Sequence, residues 1–200
     1  MMGNWKDFFV VSDRQKDLGG NLRHGDGKTI TPLLWQALID RFAPKSMLDV
    51  GAGEGHAVAF FARRGVIAHG FDGLEDNVLN ALYPIALHDL KRGPYIYPCD
   101  LVFCTEVVEH IAPKYLDNLL TTLSNAPVVV MTHGLPGQKG HHHVNLQTQD
   151  YWVGKFAQRG YRPSMDTQHF RDMARAERAD SFFAETGLVF LKSVGTGENA

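Results

Sequence analysis

The stretch LDVGAGEGHAVAFFARRG, residues 48–65, decides the fold of this chain. Its apolar start predicts a buried β-strand, and the spacing of its later apolar residues predicts a helix that stops at the last glycine. Between the two, Gly51, Gly53 and Gly55 occupy alternate positions of the turn. Residues without a Cβ atom let the backbone run close alongside a ligand. The stretch therefore predicts a binding site where the strand hands over to the helix.

Strands and helices alternate along the rest of the chain. Short apolar runs predict strands at residues 46–50, 66–71, 101–105, 128–131 and 188–194. Helical spacing predicts helices at residues 29–42, 55–64, 113–124 and 149–159, with a further helix after residue 74 that Pro84 interrupts. Continuously apolar strands that alternate with helices predict an α/β fold, in which helices cover both faces of a parallel sheet.

The composition predicts one soluble, cytoplasmic domain. The 200 residues are 44% hydrophobic, which allows one substantial core, and we place the domain at residues 28–194, between an N-terminal extension (1–27) and a flexible tail (195–200). The formal charge of −2 argues against a broad attraction to nucleic acid or an anionic membrane. No signal peptide or apolar stretch of about 20 residues is found. Cys99 and Cys104 fit core positions in a reducing compartment.

Two classes of ligand are compatible with a glycine-rich turn of this kind. A dinucleotide site prefers G-x-G-x-x-G, which here would place His56 at the third glycine position. The pattern D-x-G-x-G-x-G at residues 49–55 instead resembles motif I of the class I S-adenosylmethionine-dependent methyltransferases. The helix predicted before the first strand also argues against a dinucleotide domain, which normally opens with the strand.

Other segments extend the resemblance to this methyltransferase family over residues 28–194. Asp72 ends the second strand, about 20 residues after the first glycine, where an acidic side chain can bind both ribose hydroxyls. Asp89, in His88-Asp89-Leu90, stands where the family often binds the adenine amino group. CDLVFCTEVVEHI, residues 99–111, resembles the family's fourth motif.

The resemblance implies a fold, a cofactor and a set of cofactor contacts. The fold is a single-domain, Rossmann-like, mostly parallel sheet with helices on both faces and a C-terminal antiparallel strand. The cofactor is S-adenosylmethionine, and S-adenosylhomocysteine is its product. The implied cofactor contacts are Asp49, Gly51, Ala52, Gly53, Gly55, Asp72, Gly73, Asp89, Thr105 and Glu106.

The chemistry is expected after the strand at residues 101–105. If the chain turns helical there, Glu106, Glu109 and His110 share one face that looks into the acceptor side of the pocket. Transfer to a hydroxyl requires a base, and histidine titrates near neutrality, so His110 is a candidate base with a carboxylate to orient it. The two glutamates are expected to shape the site.

A second histidine cluster follows the strand at residues 128–131. The segment HVNLQTQDYW, residues 143–152, resembles the H-x-N-x-x-(S/T) segment of small-molecule and sugar methyltransferases, in which the histidine reaches over the active site. His143 is therefore a second candidate base, and Asn145 a further site residue. The preceding Gly- and Pro-rich loop is expected to be a mobile lid. His141 and His142 are expected to be solvated.

One alternative replaces the base with a metal. The pattern E-x-x-E-H with a downstream histidine also resembles the divalent-metal site of small-RNA 3′-end 2′-O-methyltransferases and of some ubiquinone-pathway O-methyltransferases. Glu106, Glu109, His110 and His143 would then be the ligands. Because the same pattern occurs in relatives with no known metal, we assign no metal ligand. The RNA version lacks a basic stripe and an array of stacking aromatics.

The acceptor is the least defined part of the prediction. Arg171, Arg175 and Arg178 fall on one face of a predicted helix and could bind an anionic acceptor, but a solvated face with mixed charges is the preferred interpretation. We expect transfer to an oxygen of a small molecule or a glycan, including nucleotide-linked sugars. A non-catalytic protein that binds S-adenosylmethionine is the remaining alternative.

Overall fold

A short antiparallel strand pair near the N-terminus precedes the main sheet. In the computed structural model, residues 9–10, 18 and 21–193 are described. Most of the expected extension (residues 1–27) and all of the expected tail (195–200) therefore lie outside the described residues. The N-terminal pair consists of β1 (Phe9–Val10) and β2 (Asn21–Leu22).

The main sheet has seven strands among the described residues. In chain order they are β3 (Ser46–Val50), β4 (Ile67–Asp72), β5 (Ala86–Leu87), β6 (Leu101–Cys104), β7 (Val128–Met131), β8 (Tyr161–Pro163) and β9 (Leu188–Lys192). Across the sheet their order is β5-β4-β3-β6-β7-β9-β8. The strands from β5 to β7 run parallel, β9 is antiparallel to β7, and β8 is antiparallel to β9. The mostly parallel sheet with a C-terminal antiparallel strand confirms the predicted fold class.

Seven α-helices accompany these strands in the described part of the chain. They are α1 (Pro32–Phe42), α2 (His56–Ala62), α3 (Glu75–Leu79), α4 (Leu116–Leu123), α5 (Gln149–Ala157), α6 (Thr167–Glu177) and α7 (Phe182–Thr186). Short 3₁₀-helices lie at Leu90–Arg92, Val108–His110 and Pro113–Tyr115.

Helices cover both faces of the sheet because its central strands are apolar on both sides. In β6, Val102 and Cys104 pack against α4 and α5, whereas Leu101 and Phe103 pack against α1, α2, α6 and α7. All four β6 side chains are buried, as expected for a strand in the middle of a parallel sheet. Cys99 and Cys104 are both free thiols, and Cys104 is fully buried.

The structure corrects three details of the predicted elements. After β4 the helix is limited to α3, because Pro84 cannot continue a helix and the chain instead pairs Ala86–Leu87 with β4. Strand β8 was not predicted, since it is only three residues long and ends in Pro163, which only an edge position tolerates. Thr105 lies just beyond β6. No helix in the described part of the chain has the length and apolar character needed to cross a membrane.

Candidate active site

A cavity of about 630 Å³ opens at the carboxyl ends of the parallel strands. It lies where the strand order reverses between β3 and β6, the usual position of a ligand in such sheets. Its wall is formed by the glycine turn after β3, the turn after β4, the segment after β6 and the loop after β7. Residues 25–30, which precede α1, close it from the N-terminal side.

The glycine turn has the left-handed backbone that glycine permits. Gly51, Gly53 and Gly55 have φ values of 68°, 55° and 74°. At Gly51 a Cβ atom would also collide with the side chain of Val107, so the turn packs directly against the segment after β6. Gly51 and Gly53 line the cavity, whereas Gly55 is absent from its wall and faces the backbone of Tyr83. Gly55 therefore packs beside the Tyr83 backbone, and its contact with the cofactor stays a prediction.

Asp72 fastens the glycine turn to β4. Its Oδ2 atom accepts a hydrogen bond of 2.9 Å from the Gly53 amide, and its Oδ1 atom accepts from the Leu74 amide at 2.8 Å and the Asn77 side chain at 3.0 Å. Burial raises the pKa of Asp72, and these hydrogen bonds oppose the rise. Asp72 and Gly73 both line the cavity, so the carboxylate borders the site while it holds the turn in place.

Asp49 is a second buried carboxyl at the same end of the sheet. It lies in β3, is 4% exposed and borders the cavity beneath the glycine turn. Burial first, and then the charge of Asp72, raise the pKa of Asp49 to about 8. The group is therefore mostly protonated at neutral pH until a positive charge comes near it.

Asp89 caps the 3₁₀-helix at Leu90–Arg92. Its side chain accepts a hydrogen bond from the Lys91 amide at 2.9 Å and forms an ion pair with the Lys91 ammonium at 3.2 Å. Asp89 also lines the cavity together with His88 and Leu90. The predicted residue is thus at the cavity wall, in a conformation fixed by the cap.

Glu106 is held in an unusual backbone conformation. Its φ of 57° lies in the left-handed region that non-glycine residues rarely adopt. The Glu106 amide donates to the Thr132 hydroxyl at 2.7 Å, and that hydroxyl donates to Glu106 Oε1 at 2.8 Å. Burial raises the pKa of Glu106 to about 7. Glu106 and the neighbouring Thr105 line the cavity.

The predicted helix through Glu106, Glu109 and His110 does not form. The left-handed backbone at Glu106 interrupts it, and only Val108–His110 make a 3₁₀ turn. Glu109 is fully buried and does not line the cavity. Among the described residues, its carboxylate oxygens have no polar partner except the neighbouring carboxyl of Glu106. Burial, reinforced by the charge of Glu106, raises the pKa of Glu109 well above its usual value.

His110 and His143 meet at the cavity wall, 5.0 Å apart between ring centroids. Burial lowers the pKa of His110 to about 4 and also lowers the pKa of His143, so both imidazoles are neutral near pH 7. Their Nδ1 atoms are buried and have no hydrogen-bond partner among the described residues. One ligand atom each from Glu109, His110 and His143 lie within 4.8 Å of one another.

Asn145 and two of the arginines considered for the acceptor, Arg171 and Arg175, lie outside the cavity wall and hold parts of the fold together. The buried Asn145 side chain donates to the Val108 carbonyl at 3.4 Å, and its backbone amide donates to the Glu109 carbonyl at 3.0 Å, so it anchors the loop. Arg171 and Arg175 donate to the backbone carbonyls of Gly187 and Ala184, respectively, which joins α6 to the α7 region.

Arg178 likewise takes no part in the cavity. It lies beyond the end of α6 and forms an ion pair with Asp180 at 2.8 Å. Among the described residues the main cavity therefore has no arginine in its wall.

Several wall residues were not predicted as site residues. They are Asp26, Lys28, His56, Gln138, Lys139 and Phe182. His56 begins α2, and its buried Nε2 atom faces Gly25 without a hydrogen-bond partner among the described residues. Only the tertiary fold brings these residues together, because they belong to four separate segments.

The comparisons with known proteins agree with this geometry. Residues 27–189 match the model of a family described as a methyltransferase domain. A search of curated protein sequences gives no match.

Solved structures share the fold at low sequence identity. A SAM dependent methyltransferase from Archaeoglobus fulgidus is 17% identical, with a TM-score of 0.54 over 80% of this chain and 92% of that chain. The plantazolicin methyltransferase BpumL, in complex with an analogue and SAH, is 12% identical, with a TM-score of 0.54 over 82% and 83% of the two chains. The methyltransferase domain of bacterial CtHen1-C is 16% identical, with a TM-score of 0.56 over 84% and 98%.

The sheet order and the position of the cavity define a Rossmann-like fold with a ligand site at the carboxyl ends of its strands. Because the family match spans most of its length, the chain belongs to the methyltransferase-domain family and is an S-adenosylmethionine-dependent methyltransferase. Its cofactor is S-adenosylmethionine. The family predicted from the glycine turn and the residues around it is confirmed, and the dinucleotide alternative is set aside.

Proposed function

We propose that the enzyme transfers the methyl group to an oxygen of a small molecule or a glycan. The observation that carries this proposal is the pair of neutral imidazoles, His110 and His143, on one wall of the cavity. A neutral imidazole can accept a hydrogen bond or a proton from a hydroxyl. The cavity volume of about 630 Å³ leaves room for an acceptor beside the donor, since ligand pockets are typically about 300–1,000 Å³.

The donor is assigned to the side of the cavity that contains the glycine turn. Nine of the ten cofactor contacts implied by the sequence border the cavity: Asp49, Gly51, Ala52, Gly53, Asp72, Gly73, Asp89, Thr105 and Glu106. The backbone at Ala52, which lines the cavity, would lie against the nucleoside, with Asp72 beside the ribose and Asp89 near the adenine. The buried carboxyl of Asp49 would favour the positively charged donor over its neutral product.

The protein's part in the reaction is alignment, exclusion of water and handling of one proton. The methyl carbon of a sulfonium is already activated, so an in-line approach of the acceptor oxygen provides most of the required geometry. In this proposal the acceptor oxygen would bond to the methyl carbon as the methyl–sulfur bond breaks, which leaves S-adenosylhomocysteine. His110 or His143 would take the hydroxyl proton, and burial makes His110, with a pKa of about 4, the weaker base of the two. Glu106, fixed by Thr132, borders the same space and positions the acceptor.

An acceptor panel with an isotopically labelled methyl donor tests the proposal. We expect label on hydroxyl compounds and none on matched amines or thiols. H110A and H143A should each slow turnover roughly 10²- to 10⁴-fold, while the affinity for S-adenosylhomocysteine changes little. H169A, which alters an exposed histidine on α6, is the matched control. Label confined to nitrogen or sulfur acceptors would refute oxygen transfer, and unaltered turnover in both variants would refute the base assignment.

A second candidate is a metal-assisted oxygen transfer at the same place. The observation that favours it is the convergence of ligand atoms from Glu109, His110 and His143 within 4.8 Å of one another. Both Nδ1 atoms lack a hydrogen-bond partner among the described residues. This carboxylate–imidazole donor set fits a borderline divalent cation. Such a cation would bind acceptor oxygens and acidify a hydroxyl. Glu106 is not one of these three residues, but its side chain interacts with that of Glu109.

The two candidates respond differently to metal. Protein treated with a chelator and dialysed should be titrated with Mn²⁺, Zn²⁺ and Mg²⁺, with thermal midpoint and turnover as readouts. A metal-assisted enzyme should show a higher midpoint and restored turnover, and E109Q should abolish both responses. Turnover that survives chelation, with a midpoint that no cation shifts, would reject the metal and leave the histidine base.

A further inference from the structure

A strap of chain, residues 25–30, forms a thin wall of the cavity. It leads from β2 to α1 and runs from the start of α2 to the connection between α6 and α7. The residues of the strap that line the cavity are also partly exposed to solvent; they are Gly25, Asp26, Lys28, Thr29 and Ile30. The position of the strap therefore sets how far the cavity is open on this side.

Both ends of the strap are anchored. Just before it, the His24 amide donates to Glu54 Oε2 at 3.0 Å, and Glu54 is only 6% exposed. Just after it, Thr31 is 1% exposed, and the Leu33 amide donates to Glu177 Oε2 at 2.9 Å. Any movement of the strap is therefore confined to the residues between these two anchors.

The middle of the strap is a turn that holds its own shape. Asp26 Oδ1 accepts a hydrogen bond from the Lys28 amide at 2.8 Å. The Asp26 carbonyl accepts from the Thr29 amide at 2.9 Å and from the Thr29 hydroxyl at 2.8 Å. Because these hydrogen bonds all lie within the turn, it can move as one piece without breaking them.

Exposed groups clasp this turn to the connection between α6 and α7. The Lys28 ammonium lies 3.5 Å from Asp180 Oδ2 and 5.4 Å from the centre of the Phe182 ring. The side chains of Lys28 and Asp180 are 44% and 57% exposed, so water and salt screen their attraction. Gly27 packs against the Arg178 guanidinium, since a Cβ atom at Gly27 would lie 2.7 Å from Nη1. The clasp is therefore the contact of the strap that breaks most easily.

A buried imidazole nitrogen disfavours the clasped position. Gly25 covers His56 Nε2, because a Cβ atom at Gly25 would lie 2.8 Å from it. This nitrogen is buried and has no hydrogen-bond partner among the described residues. A buried polar atom without a partner is destabilising. Lifting the strap would let water reach His56, which offsets part of the cost of breaking the clasp.

We propose that the strap is a gate for the donor and its product. The turn at residues 26–29 lifts away from Asp180 to admit S-adenosylmethionine and to release S-adenosylhomocysteine, and the clasp holds it down in between. The closed strap separates the reacting groups from solvent. The gate concerns exchange of the cofactor, so it applies whichever atom of the acceptor receives the methyl group.

The rates of cofactor exchange test the gate. With full-length protein, tryptophan fluorescence measures the association rate of S-adenosylhomocysteine, since Trp35 lines the cavity. A chase of labelled with unlabelled S-adenosylhomocysteine measures the dissociation rate. K28M and D180N each remove the ion pair of the clasp. Because the clasp must break for entry and for release alike, we expect both rates to rise about two- to fivefold and the affinity to stay the same. Added salt should raise both rates in the wild type and not in D180N.

D172N is the matched control, because it removes the exposed ion pair between Asp172 and Arg175 on α6, outside the cavity wall. Its two rates should equal those of the wild type. Unchanged rates in either K28M or D180N would overturn the gate. Faster dissociation with a matching loss of affinity would also overturn it, because Lys28 and Asp180 would then be ordinary contacts of the bound state.

Discussion

The Gly53 amide donates a hydrogen bond of 2.9 Å to Oδ2 of Asp72, so the glycine turn after β3 is fastened to the end of β4. The same carboxylate accepts two further hydrogen bonds through Oδ1. The side chain that the sequence assigns to the ribose therefore has a second task. It keeps the backbone of the turn in the shape that a nucleoside would contact.

D72N should weaken both the fold and cofactor binding. An asparagine has one acceptor oxygen, so its NH₂ group must face either the Gly53 amide or the donors at Oδ1. A buried donor without an acceptor costs about 1–3 kcal/mol. We expect the free energy of unfolding to fall by about that amount and the affinity for S-adenosylhomocysteine to fall at least tenfold by calorimetry.

D76N, at an exposed aspartate on α3, is the control for D72N and should behave as wild type. Wild-type cofactor affinity in D72N would show that the turn keeps its shape without this carboxylate.

Asp49 should make the stability of the enzyme fall as the pH rises. Its pKa is about 8 in the folded protein and about 3.8 when unfolded, so the folded state binds more protons between these values. The stabilising contribution is fully present below pH 4 and is lost as the pH rises toward 8. A tenfold difference in proton affinity between the two states corresponds to about 1.4 kcal/mol, so an effect of a few kcal/mol is expected.

D49N removes the titrating group, so its free energy of unfolding should change less with pH than that of the wild type. Urea unfolding at pH 5, 6, 7 and 8 measures this free energy, with exposed Asp150→Asn as the control. A residual slope from Asp72, whose pKa is also raised, should remain in D49N. A D49N profile as steep as that of wild type would contradict the assignment to Asp49.

The sheet was predictable because its signals are local. The apolar runs of β3, β6 and β7 lie in the middle of the sheet, where both faces are buried, so their sequence needs no tertiary context. The donor side was predictable for a related reason, since the turns after β3 and β4 are short and follow directly from their strands. Asp72 and Gly53 are near their expected positions because the strands place them there.

The acceptor side depends on long-range contacts that leave no local pattern. The segment from Glu106 to His110 has a helical pattern, but a hydrogen bond between Glu106 and Thr132, 26 residues away, stabilises a left-handed backbone instead. Phe182 reaches the cavity because α7, which precedes β9 in the chain, packs against α6. The sequence cannot distinguish Gly55 from Gly51 and Gly53, because all three have a positive φ. Only the fold shows that a Cβ atom at Gly55 would lie against the backbone of Tyr83.

T132V should lower both stability and turnover, because it removes the hydrogen bonds that hold Glu106. Thr132 is fully buried, accepts from the Glu106 amide and donates to its carboxylate, so valine leaves both groups unsatisfied. We expect a loss of about 1–3 kcal/mol of stability and at least tenfold in turnover. T132S keeps the hydroxyl and should restore most of the turnover. If T132V and T132S have equal turnover, the hydroxyl has no part in positioning Glu106.

A comparison of two glycines separates backbone strain from close packing. Gly51 and Gly65 both have left-handed backbones, with φ of 68° and 82°. A Cβ atom at Gly65 would meet nothing within 4 Å, whereas at Gly51 it would collide with Val107. G65A should therefore cost only the backbone strain, about 1 kcal/mol, and leave the affinity for S-adenosylhomocysteine unchanged. G51A should lower the free energy of unfolding by more than G65A does, as measured by denaturant unfolding. It should also weaken cofactor binding at least tenfold, because the turn must move.

Adding V107A to G51A should recover part of the stability, since the colliding methyl groups are gone. Equal losses in G51A and G65A would mean that strain alone explains the glycine at position 51, and that the turn's contact with the segment after β6 does not shape the cavity.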